Sequence, residues 1–492
     1  MSQITVLNLT FAYPGSYDNI FENVSFTLDT EWKLGLIGRN GRGKTTFLRL
    51  LMGDYEYKGS IKAGLQFSYF PYHVTDMEQS ALTIIESKNP DFQLWELERE
   101  ISLLEMDEEL LYRPFSTLSN GEQTRLLLAS LFLNESHFLL IDEPTNHLDL
   151  IMREKVAAYL KSKSGFILIS HDRSFLDGCV DHIMSINRTN IDVQQGDFSS
   201  WWLNKQRQDE YELAENAHLK QDIKRLNEAA RRNATWSDKV EKTKLGNKNS
   251  GVKGDKGYVG AQAARMMKRS KSIETRREDA VQEKSRLLHN IEESTSLELR
   301  PLKYHAQTLL ELDKVNLQYD GRIVSENISL RLESGDRIAV MGKNGSGKSS
   351  LLKLLIGENI QHDGYFRRGS QLIISYLPQD TSFLSGSLDD FIKSSGTDQT
   401  LFKSFLRKLD FSRLQFAKDM ASYSAGQKKK VLLAKSLSEN AHLYVWDEPL
   451  NYIDVISRIQ IEDLLKKHQP TIIFVEHDRS FCENTATREI HL

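Results

Sequence analysis

The sequence predicts an α/β protein made of two tandem P-loop nucleotide-binding domains joined by a long antiparallel α-helical hairpin linker. Three observations predict this fold class. A phosphate-loop pattern occurs twice, later motifs recur at a nearly constant spacing, and the segment between the copies has a helical composition. We expect the first domain at residues 1–197, the linker at 198–305 and the second domain at 306–492.

The phosphate-loop pattern ends in Gly-Lys-Thr in the first copy and in Gly-Lys-Ser in the second. Each copy follows an apolar strand pattern and opens a helical pattern, as this motif requires. Glycines let backbone N–H groups converge on phosphates, and the lysines would reach the β and γ oxygens of ATP. An ordinary glycine-rich turn is the alternative, and two matches in one setting argue against it. The predicted ATP-binding residues are Gly38, Arg39, Asn40, Gly41, Arg42, Gly43, Lys44, Thr45, Thr46, Gly342, Lys343, Asn344, Gly345, Ser346, Gly347, Lys348, Ser349 and Ser350.

Landmarks beyond the loops keep a spacing of 304 to 306 positions. The pairs are Lys44 and Lys348, Ser119 and Ser424, Asp142 and Asp447, and His171 and His477. The chain is therefore a duplication. The first repeat runs from about Ile4 to Ile191, and the second from about Thr308 to Leu492.

An Asp-Glu-Pro sequence follows an apolar strand in both repeats. An acid at a buried strand end, Asp142 or Asp447, suits Mg²⁺ together with the loop hydroxyls of Thr45 and Ser349. The adjacent glutamates are placed to orient or deprotonate the attacking water, which predicts Glu143 and Glu448 as catalytic residues. Standing alone, the same sequence would be interpreted as a strand-end turn.

A histidine follows a further apolar strand some 30 residues later in each repeat. His171 and His477 could contact the γ-phosphate and sense its loss, so we predict both as catalytic residues. A lone histidine at a strand end would usually be structural.

The composition is that of an ordinary soluble protein, with 492 residues, 39% hydrophobic and 27% charged. It contains no run of about 18 apolar residues, and its start lacks the regions of a signal peptide. We expect a cytoplasmic protein without a membrane span. The two cysteines, Cys179 and Cys482, occupy near-equivalent places and are predicted to be small buried residues rather than a disulfide or metal pair.

The linker carries the positive charge of this acidic chain. Residues 220–277 hold 17 Lys and Arg against 6 Asp and Glu, a net charge of +11, which leaves −15 for the rest. This asymmetry favours contact with a polyanion, although a basic run is often a solvated helix face. Helical patterns at about 198–240 and 261–291 flank a glycine-rich basic tip, which predicts an arm of roughly 60 Å.

Residues 118–123 and 423–428 resemble the signature sequence of ATP-binding-cassette (ABC) proteins. In that family the motif caps the nucleotide held by the other domain's phosphate loop. The resemblance implies two ABC-type domains with two composite sites for ATP and Mg²⁺. It implies that Ser424, Ala425, Gly426 and Gln427 complete the site at Lys44, and that Ser119, Asn120, Gly121 and Glu122 complete the site at Lys348. Tyr13 and Tyr319 match the family's adenine-stacking aromatic residue.

One motif differs between the repeats. The second has Gln379, matching the family's Mg²⁺-contacting glutamine, whereas the first has Tyr72 at that position. A phenol is a poorer ligand for a hard cation than an amide carbonyl. We therefore expect the first site to hydrolyse or couple differently from the second.

Two such domains with a charged helical linker resemble the ABC-F family over essentially the whole chain. The linker sequence at 259–271 and the loop arginines Arg39 and Arg42 look most like the Lsa-type antibiotic-resistance proteins. The first repeat has no inserted arm, and only 15 residues follow His477, without a coiled coil. Both features fit that group.

The resemblance implies that ATP closes the two domains and that the closed form binds the bacterial ribosome, with rRNA and tRNA as contacts. The linker would reach the peptidyl-transferase centre and displace lincosamide, pleuromutilin or streptogramin A drugs, and hydrolysis would release the protein, which acts as a monomer. Aromatic tip residues could stack on bases, although Trp236 could equally pack within the hairpin. The residues expected near RNA or drug are Trp236, Lys244, Asn247, Lys248, Lys253 and Tyr258.

Three other classes share parts of this pattern. A housekeeping ABC-F translation factor would have the same ATP sites, and only the linker and the missing arm argue against it. A transporter ATPase subunit would need a membrane partner and has no use for a basic hairpin of this length. DNA-repair and chromosome-organising ABC ATPases also use helical arms, but theirs are commonly longer and inserted within a domain.

Overall fold

The computed structural model describes residues 2–15, 19–134, 136–146, 148–187, 190–243, 298–319, 322–343, 345–412 and 415–492. The chain divides into two compact units, one of Met1–Trp201 with Thr295–Leu492 and the other of Trp202–Ser294. Both repeats lie in the first unit, and everything below concerns that unit unless the linker is named.

The first repeat combines two sheets. The antiparallel sheet has the order β2-β1-β4, and the second sheet has the order β5-β6-β7-β3-β8-β9, parallel except for β9. The strands are β1 (Gln3–Phe11), β2 (Phe21–Asp29), β3 (Lys33–Ile37), β4 (Lys58–Ala63), β5 (Gln66–Phe70), β6 (His137–Asp142), β7 (Phe166–Ile169), β8 (His182–Ile186) and β9 (Ile191–Gln195).

Helices cover the parallel sheet. They are α1 (Lys44–Met52), α2 (Ala81–Lys88), α3 (Leu94–Leu103), α4 (Asn120–Leu131), α5 (Leu150–Lys161) and α6 (Arg173–Cys179), with 3₁₀ turns at Glu108–Tyr112 and Phe115–Thr117. The linker begins with α7 (Phe198–Thr243).

The second repeat has the same plan. Its antiparallel sheet has the order β11-β10-β13, and its parallel sheet has the order β14-β15-β16-β12-β17. The strands are β10 (Thr308–Tyr319), β11 (Arg322–Glu333), β12 (Arg337–Met341), β13 (Gln361–Arg368), β14 (Ile374–Leu377), β15 (Leu443–Asp447), β16 (Ile472–Val475) and β17 (Arg488–His491). The helices are α8 (Lys348–Ile356), α9 (Leu388–Ser394), α10 (Gln399–Lys408), α11 (Ala425–Ser438), α12 (Val455–His468) and α13 (Arg479–Thr485), with 3₁₀ turns at Gln415–Ala417 and Met420–Ser422.

The central strands are apolar on both faces, as expected for a parallel sheet that helices cover on both sides. All four residues of β7 and all four of β16 are buried. Since β3, β6 and β7 are neighbouring parallel strands, the phosphate loop, the Asp-Glu-Pro loop and the histidine loop leave the same edge of the sheet. This topology gathers motifs that lie more than 100 residues apart.

The predicted pair of α/β nucleotide-binding domains is confirmed. Both cysteines are buried and unbonded, as predicted. No helix in the described ranges is both long and apolar enough to cross a bilayer. The helix α7 begins at the residue predicted and runs three residues beyond Val240. The second predicted linker helix, the basic tip and its proposed contact residues, including the side chain of Trp236, lie outside the described residues.

Candidate active sites

Both phosphate loops adopt conformations that only glycine takes readily. Gly43 and Gly347, which precede α1 and α8, have φ values of 94° and 89°. A Cβ on Gly43 would come within 2.5 Å of the Ile20 side chain. Each loop therefore needs glycine both for its backbone angle and for its close packing.

The loop lysines point into their own loops. Lys44 Nζ donates to the carbonyl of Gly38 at 2.7 Å, and Lys348 Nζ donates to that of Gly342 at 2.9 Å. Burial lowers the pKa of both lysines. Each ammonium is held among carbonyl oxygens that an incoming phosphate would replace.

The loop hydroxyls lie beside the strand-end acids. Thr45 Oγ1 donates to Asp142 Oδ2 at 2.8 Å. Burial raises the pKa of Asp447, and the nearby Ser349 hydroxyl acts to lower it. Within the described ranges, Asp447 Oδ1 is buried without a hydrogen-bond partner. No group of three His, Cys, Asp or Glu side chains suitable for a metal occurs in those ranges. This set of oxygen donors fits Mg²⁺ that takes its other ligands from nucleotide phosphates and water.

Tyr72 and Gln379, which occupy equivalent positions in the two repeats, have different surroundings. Tyr72 Oη hydrogen-bonds Ser130 Oγ on α4 at 2.9 Å, so it faces that helix. The neighbouring strand residue Tyr69 instead donates to Asp142 Oδ2 at 2.9 Å. Burial and Asp142 raise the pKa of Tyr69. Sequence reasoning missed Tyr69, although its place in β5, one strand from Asp142, could have identified it. In the second repeat Gln379 is exposed.

In the first predicted catalytic pair His171 is buried, and the side chain of Glu143 is 20% exposed. Glu143 has a φ of 54°, and its N–H donates to the carbonyl of Ile169 on β7. Its Oε1 lies 3.3 Å from His171 Nε2. Burial, assisted by Asp142, raises the pKa of Glu143 to about 8. Burial and Lys44 hold the pKa of His171 well below its usual value, so the imidazole is neutral at pH 7.

The second pair repeats this geometry with looser contact. Glu448 has a φ of 47° and donates its N–H to the carbonyl of Val475. Its Oε1 lies 3.8 Å from His477 Nε2, and its Oε2 accepts a hydrogen bond from Asn451. Burial lowers the pKa of His477 to about 4, so this imidazole is also neutral at pH 7. The two sites are alike in plan and unequal in detail.

The signature sequences form helix N-termini. Ser119 and Ser424 are the N-caps of α4 and α11, and each forms a reciprocal capping box with Glu122 or Gln427. A capped N-terminus presents backbone N–H groups and the positive end of the helix dipole, which suits an anion. A Cβ on Gly426 would lie 2.7 Å from the carbonyl oxygen of Tyr452, so the closely packed backbone requires glycine there.

The first phosphate loop contacts two loops of the second repeat, beside its signature helix. Asn40 Nδ2 donates to the carbonyl of Tyr452 at 2.7 Å, and Arg42 Nη2 lies 3.5 Å from Asp410 Oδ1. A cavity of about 370 Å³ lies between them. Its lining includes Glu143 and His171 of the first repeat and Ser424, Ala425, Gly426 and Gln427 of the second. The residues that the resemblance assigned to one composite site are thus brought together.

The second phosphate loop lies near the first repeat. Burial lowers the pKa of both Lys348 and His477, and the negative charge of Asp149, the N-cap of α5, acts in the opposite direction on both. Arg153 Nη1 donates to the carbonyl of His477 at 3.1 Å. Asn344 of this loop lies outside the described residues. The assignment of the first signature sequence to this site stays a prediction.

The predicted adenine-stacking residue Tyr13 lies beside the first loop. Its Oη hydrogen-bonds Thr46 Oγ1 at 2.8 Å, and its ring packs edge-on against Phe11 and Tyr55. The ring is 38% exposed, which leaves part of it accessible. The side chain of Tyr319 lies outside the described part of the second repeat.

Both repeats match the same known protein family. Residues 21–146 and 325–451 match the family model described as ABC transporter. The ATP-binding protein Uup of Caulobacter vibrioides is 27% identical over 491 residues, covering 96% of this chain and 74% of that protein. The probable ATP-binding protein YbiT of Escherichia coli O157:H7 is 27% identical, covering 96% of this chain and 93% of that protein.

A third relative has a more specific name. The ribosome protection protein VmlR of Bacillus subtilis is 26% identical over 495 residues, covering 99% of this chain and 86% of that protein. Among solved structures, the archaeal ribosome recycling factor aABCE1 in complex with the stalk protein aP1 aligns with a TM-score of 0.63 at 17% identity. That alignment covers 98% of this chain and 87% of that one, and it shows the shared fold.

Proposed function

Because the chain belongs to the ABC transporter family and, within it, is an ABC-F ATPase, we propose that it binds the bacterial ribosome in an ATP-closed state and protects the peptidyl-transferase centre from antibiotics. The chain is an ATP hydrolase. The observation that carries the proposal is the contact of the first phosphate loop with Tyr452 of the second repeat, beside a cavity that the signature residues also line. ATP bound there would be held from both sides and would stabilise the closed arrangement of the repeats.

Hydrolysis would use the same residues in each composite site. Lys44 or Lys348 leaves its loop carbonyls for the β and γ phosphates. Glu143 or Glu448 orients the attacking water and, in its ionised form, takes its proton. Mg²⁺, held by a loop hydroxyl and a strand-end acid, would neutralise charge that develops on the phosphates. The neutral imidazole of His171 or His477 can donate a hydrogen bond to the γ-phosphate. Loss of that phosphate removes the ligand shared by both repeats and opens the site.

The linker would supply the contact with the ribosome in the cytoplasm. Its +11 segment suits rRNA or tRNA phosphates, whereas the remainder of the chain carries −15. The names of VmlR and aABCE1, which refer to ribosome protection and ribosome recycling, support a ribosomal partner. Displacement of lincosamide, pleuromutilin or streptogramin A drugs is the finer part of the proposal and rests on the resemblance of residues 259–271.

Co-sedimentation tests the ribosomal partner. The double variant Glu143→Gln plus Glu448→Gln should keep ATP and stay closed, so it should pellet with ribosomes in ATP and remain in the supernatant without nucleotide. The matched control, Lys44→Ala plus Lys348→Ala, lacks the phosphate contacts and should not pellet in either case. Absence of pelleting by the first variant while it still holds ATP would reject the ribosome as partner.

Housekeeping translation remains the second candidate, because Uup and YbiT, described only as ATP-binding proteins, are as similar as VmlR. Expression in a susceptible bacterium separates the two. The proposal expects the inhibitory concentration of at least one of the three drug classes to rise at least fourfold, and the Lys44→Ala plus Lys348→Ala control to give no rise. Unchanged inhibitory concentrations, together with ATP-dependent ribosome binding, would favour the housekeeping function.

A further inference from the structure

A buried carboxylate joins two loops of the second repeat. Glu476 follows β16 and is 3% exposed. Its Oε1 accepts a hydrogen bond from the N–H of Leu450 at 2.7 Å, and its Oε2 accepts one from the N–H of His477 at 3.0 Å. Burial raises the pKa of Glu476 to about 7. In either protonation state, a buried carboxyl group that accepts from two backbone donors fixes both loops at one distance.

Both loops belong to the second ATP site, and one of them also reaches the first. The loop at 448–454 begins with Glu448 of the second site. Further along, the Tyr452 carbonyl accepts from Asn40, and Asp454 Oδ2 lies 3.5 Å from the Asn40 N–H, both at the first phosphate loop. The other loop carries His477 of the second site. Glu476 therefore lies on a covalent and hydrogen-bonded path from His477 to the first site.

The first repeat joins the equivalent loops without a carboxylate. Ser170 stands at the position of Glu476, and its Oγ lies 3.3 Å from Thr145 Oγ1, where the second repeat has Leu450. A contact between two neutral hydroxyls replaces a carboxylate that holds two backbone N–H groups. Since both repeats build the same fold, the fold itself does not require Glu476.

A second buried charge accompanies the first. Lys429, which is 2% exposed, donates to the carbonyls of Pro378 and Asp447 at 3.0 Å each. Glu476 is the leading charge that raises its pKa against the effect of burial. The first repeat has Thr124 at this position. The second repeat thus has a lysine and a glutamate of opposite charge where the first repeat has two hydroxyl residues.

We propose that Glu476 is a positioning residue that couples the second ATP site to the first. By tying the His477 loop to the 448–454 loop, it holds Tyr452 and Asp454 where they contact the first phosphate loop. A change at the γ-phosphate of the second site moves His477 and, through Glu476, loosens the closed first site. In the first repeat, the equivalent link between the His171 loop and the Asp-Glu-Pro loop has no such carboxylate.

Turnover of the first site alone tests this coupling. The proposal rests on the catalytic assignments above, so the Glu448→Gln parent should hydrolyse ATP at the first site only. Adding Glu476→Ser should lower kcat there at least fivefold and change the Kd for ATP less than twofold, although every residue lining that site is unchanged. The matched change Ser170→Ala, in the Glu143→Gln parent, should lower second-site kcat less than twofold.

Stability separates positioning from simple structural support. Glu476→Ser alone leaves Lys429 buried without its main opposite charge and should lower Tm. The double change Glu476→Ser plus Lys429→Thr reproduces the hydroxyl residues of the first repeat and should recover Tm while kcat at the first site stays low. Recovery of both Tm and kcat in the double variant would reduce Glu476 to a structural role and overturn the proposal.

Closure of the first ATP site can be measured without relying on the catalytic assignments. Arg42→Cys plus Asp410→Cys places two thiols across the first site, where the native side chains lie 3.5 Å apart. With ATP and a short bis-maleimide, the fraction cross-linked should fall at least threefold when Glu476→Ser is added. An unchanged fraction overturns the coupling. If the Glu143→Gln and Glu448→Gln parents both keep full turnover, the catalytic assignments are rejected. That result would not bear on the coupling.

Discussion

Ser174 and Ser480, equivalent residues of the two repeats, have their Oγ atoms 2.7 Å apart across the repeat interface. When a residue contacts its own counterpart, the local twofold axis that relates the two copies passes between them. The ion pairs on either side do not follow this symmetry. Arg173 pairs with Glu462 at 2.5 Å, whereas its counterpart Arg479 pairs with Glu154 at 2.7 Å. The backbone is duplicated, and the charges on it have diverged.

The buried ion pair should matter more for stability than the exposed one. Arg173 and Glu462 side chains are 12% and 5% exposed, whereas those of Arg479 and Glu154 are 54% and 56% exposed. Arg173→Ala leaves Glu462 buried with less compensation and should cost roughly 3 kcal/mol of unfolding free energy. Arg479→Ala should cost less than about 1 kcal/mol. Urea unfolding of both variants provides the comparison, and equal losses would contradict it.

Tyr69, rather than Tyr72, should influence the Mg²⁺ requirement of the first site. The Tyr69 hydroxyl donates to the Asp142 oxygen that also binds Thr45, so its removal should leave the carboxylate a stronger ligand. Tyr69→Phe should lower the Mg²⁺ concentration for half-maximal first-site turnover about threefold, the size of one hydrogen bond. Tyr72→Phe is the control and should change nothing, because its hydroxyl faces Ser130. A response to Tyr72→Phe alone would reverse this assignment.

Glu143 should make the nucleotide-free protein less stable at alkaline pH. Its pKa is about 8 in the folded chain and 4.5 ordinarily, so the unfolded chain releases this proton first. Stability therefore falls as the pH rises from about 4.5 to about 8, and the loss is complete above that value. Glu143→Gln removes this loss and should raise Tm at pH 8.5 by more than it does at pH 5. Calorimetry at the two pH values measures the difference, and an equal change at both would argue against a raised pKa.

A methyl group on Gly426 should prevent closure of the first site. Its Cβ would lie 2.7 Å from the carbonyl oxygen of Tyr452 across a packed contact. Alanine is a better helix former than glycine, so Gly426→Ala should leave helix α11 intact. First-site turnover in the Glu448→Gln parent should fall at least tenfold, with Tm unchanged or higher. Full turnover would mean that Tyr452 moves away from α11 during the ATPase cycle.

The local features of both repeats could be predicted from the sequence because they depend on short spacing. Ser119 and Glu122, or Ser424 and Gln427, lie three residues apart and form capping boxes on their own helices. Pairing of Thr45 with Asp142 followed from the order of strands in a parallel sheet, since both residues had to reach the same edge. The linker tip was predicted by composition alone.

What the sequence determined by itself was therefore the duplicated α/β fold and the motifs from which the ATP sites are predicted, since periodicity and motif spacing carry that information. Only the tertiary structure decided which tyrosine faces Asp142, because that depends on the pairing of β5 with β6. It alone joined Asn40 to Tyr452, 412 residues away, and Glu476 to Leu450. Such contacts depend on how separate elements pack, and spacing along the chain does not encode the shape and charge of a surface that forms only after folding.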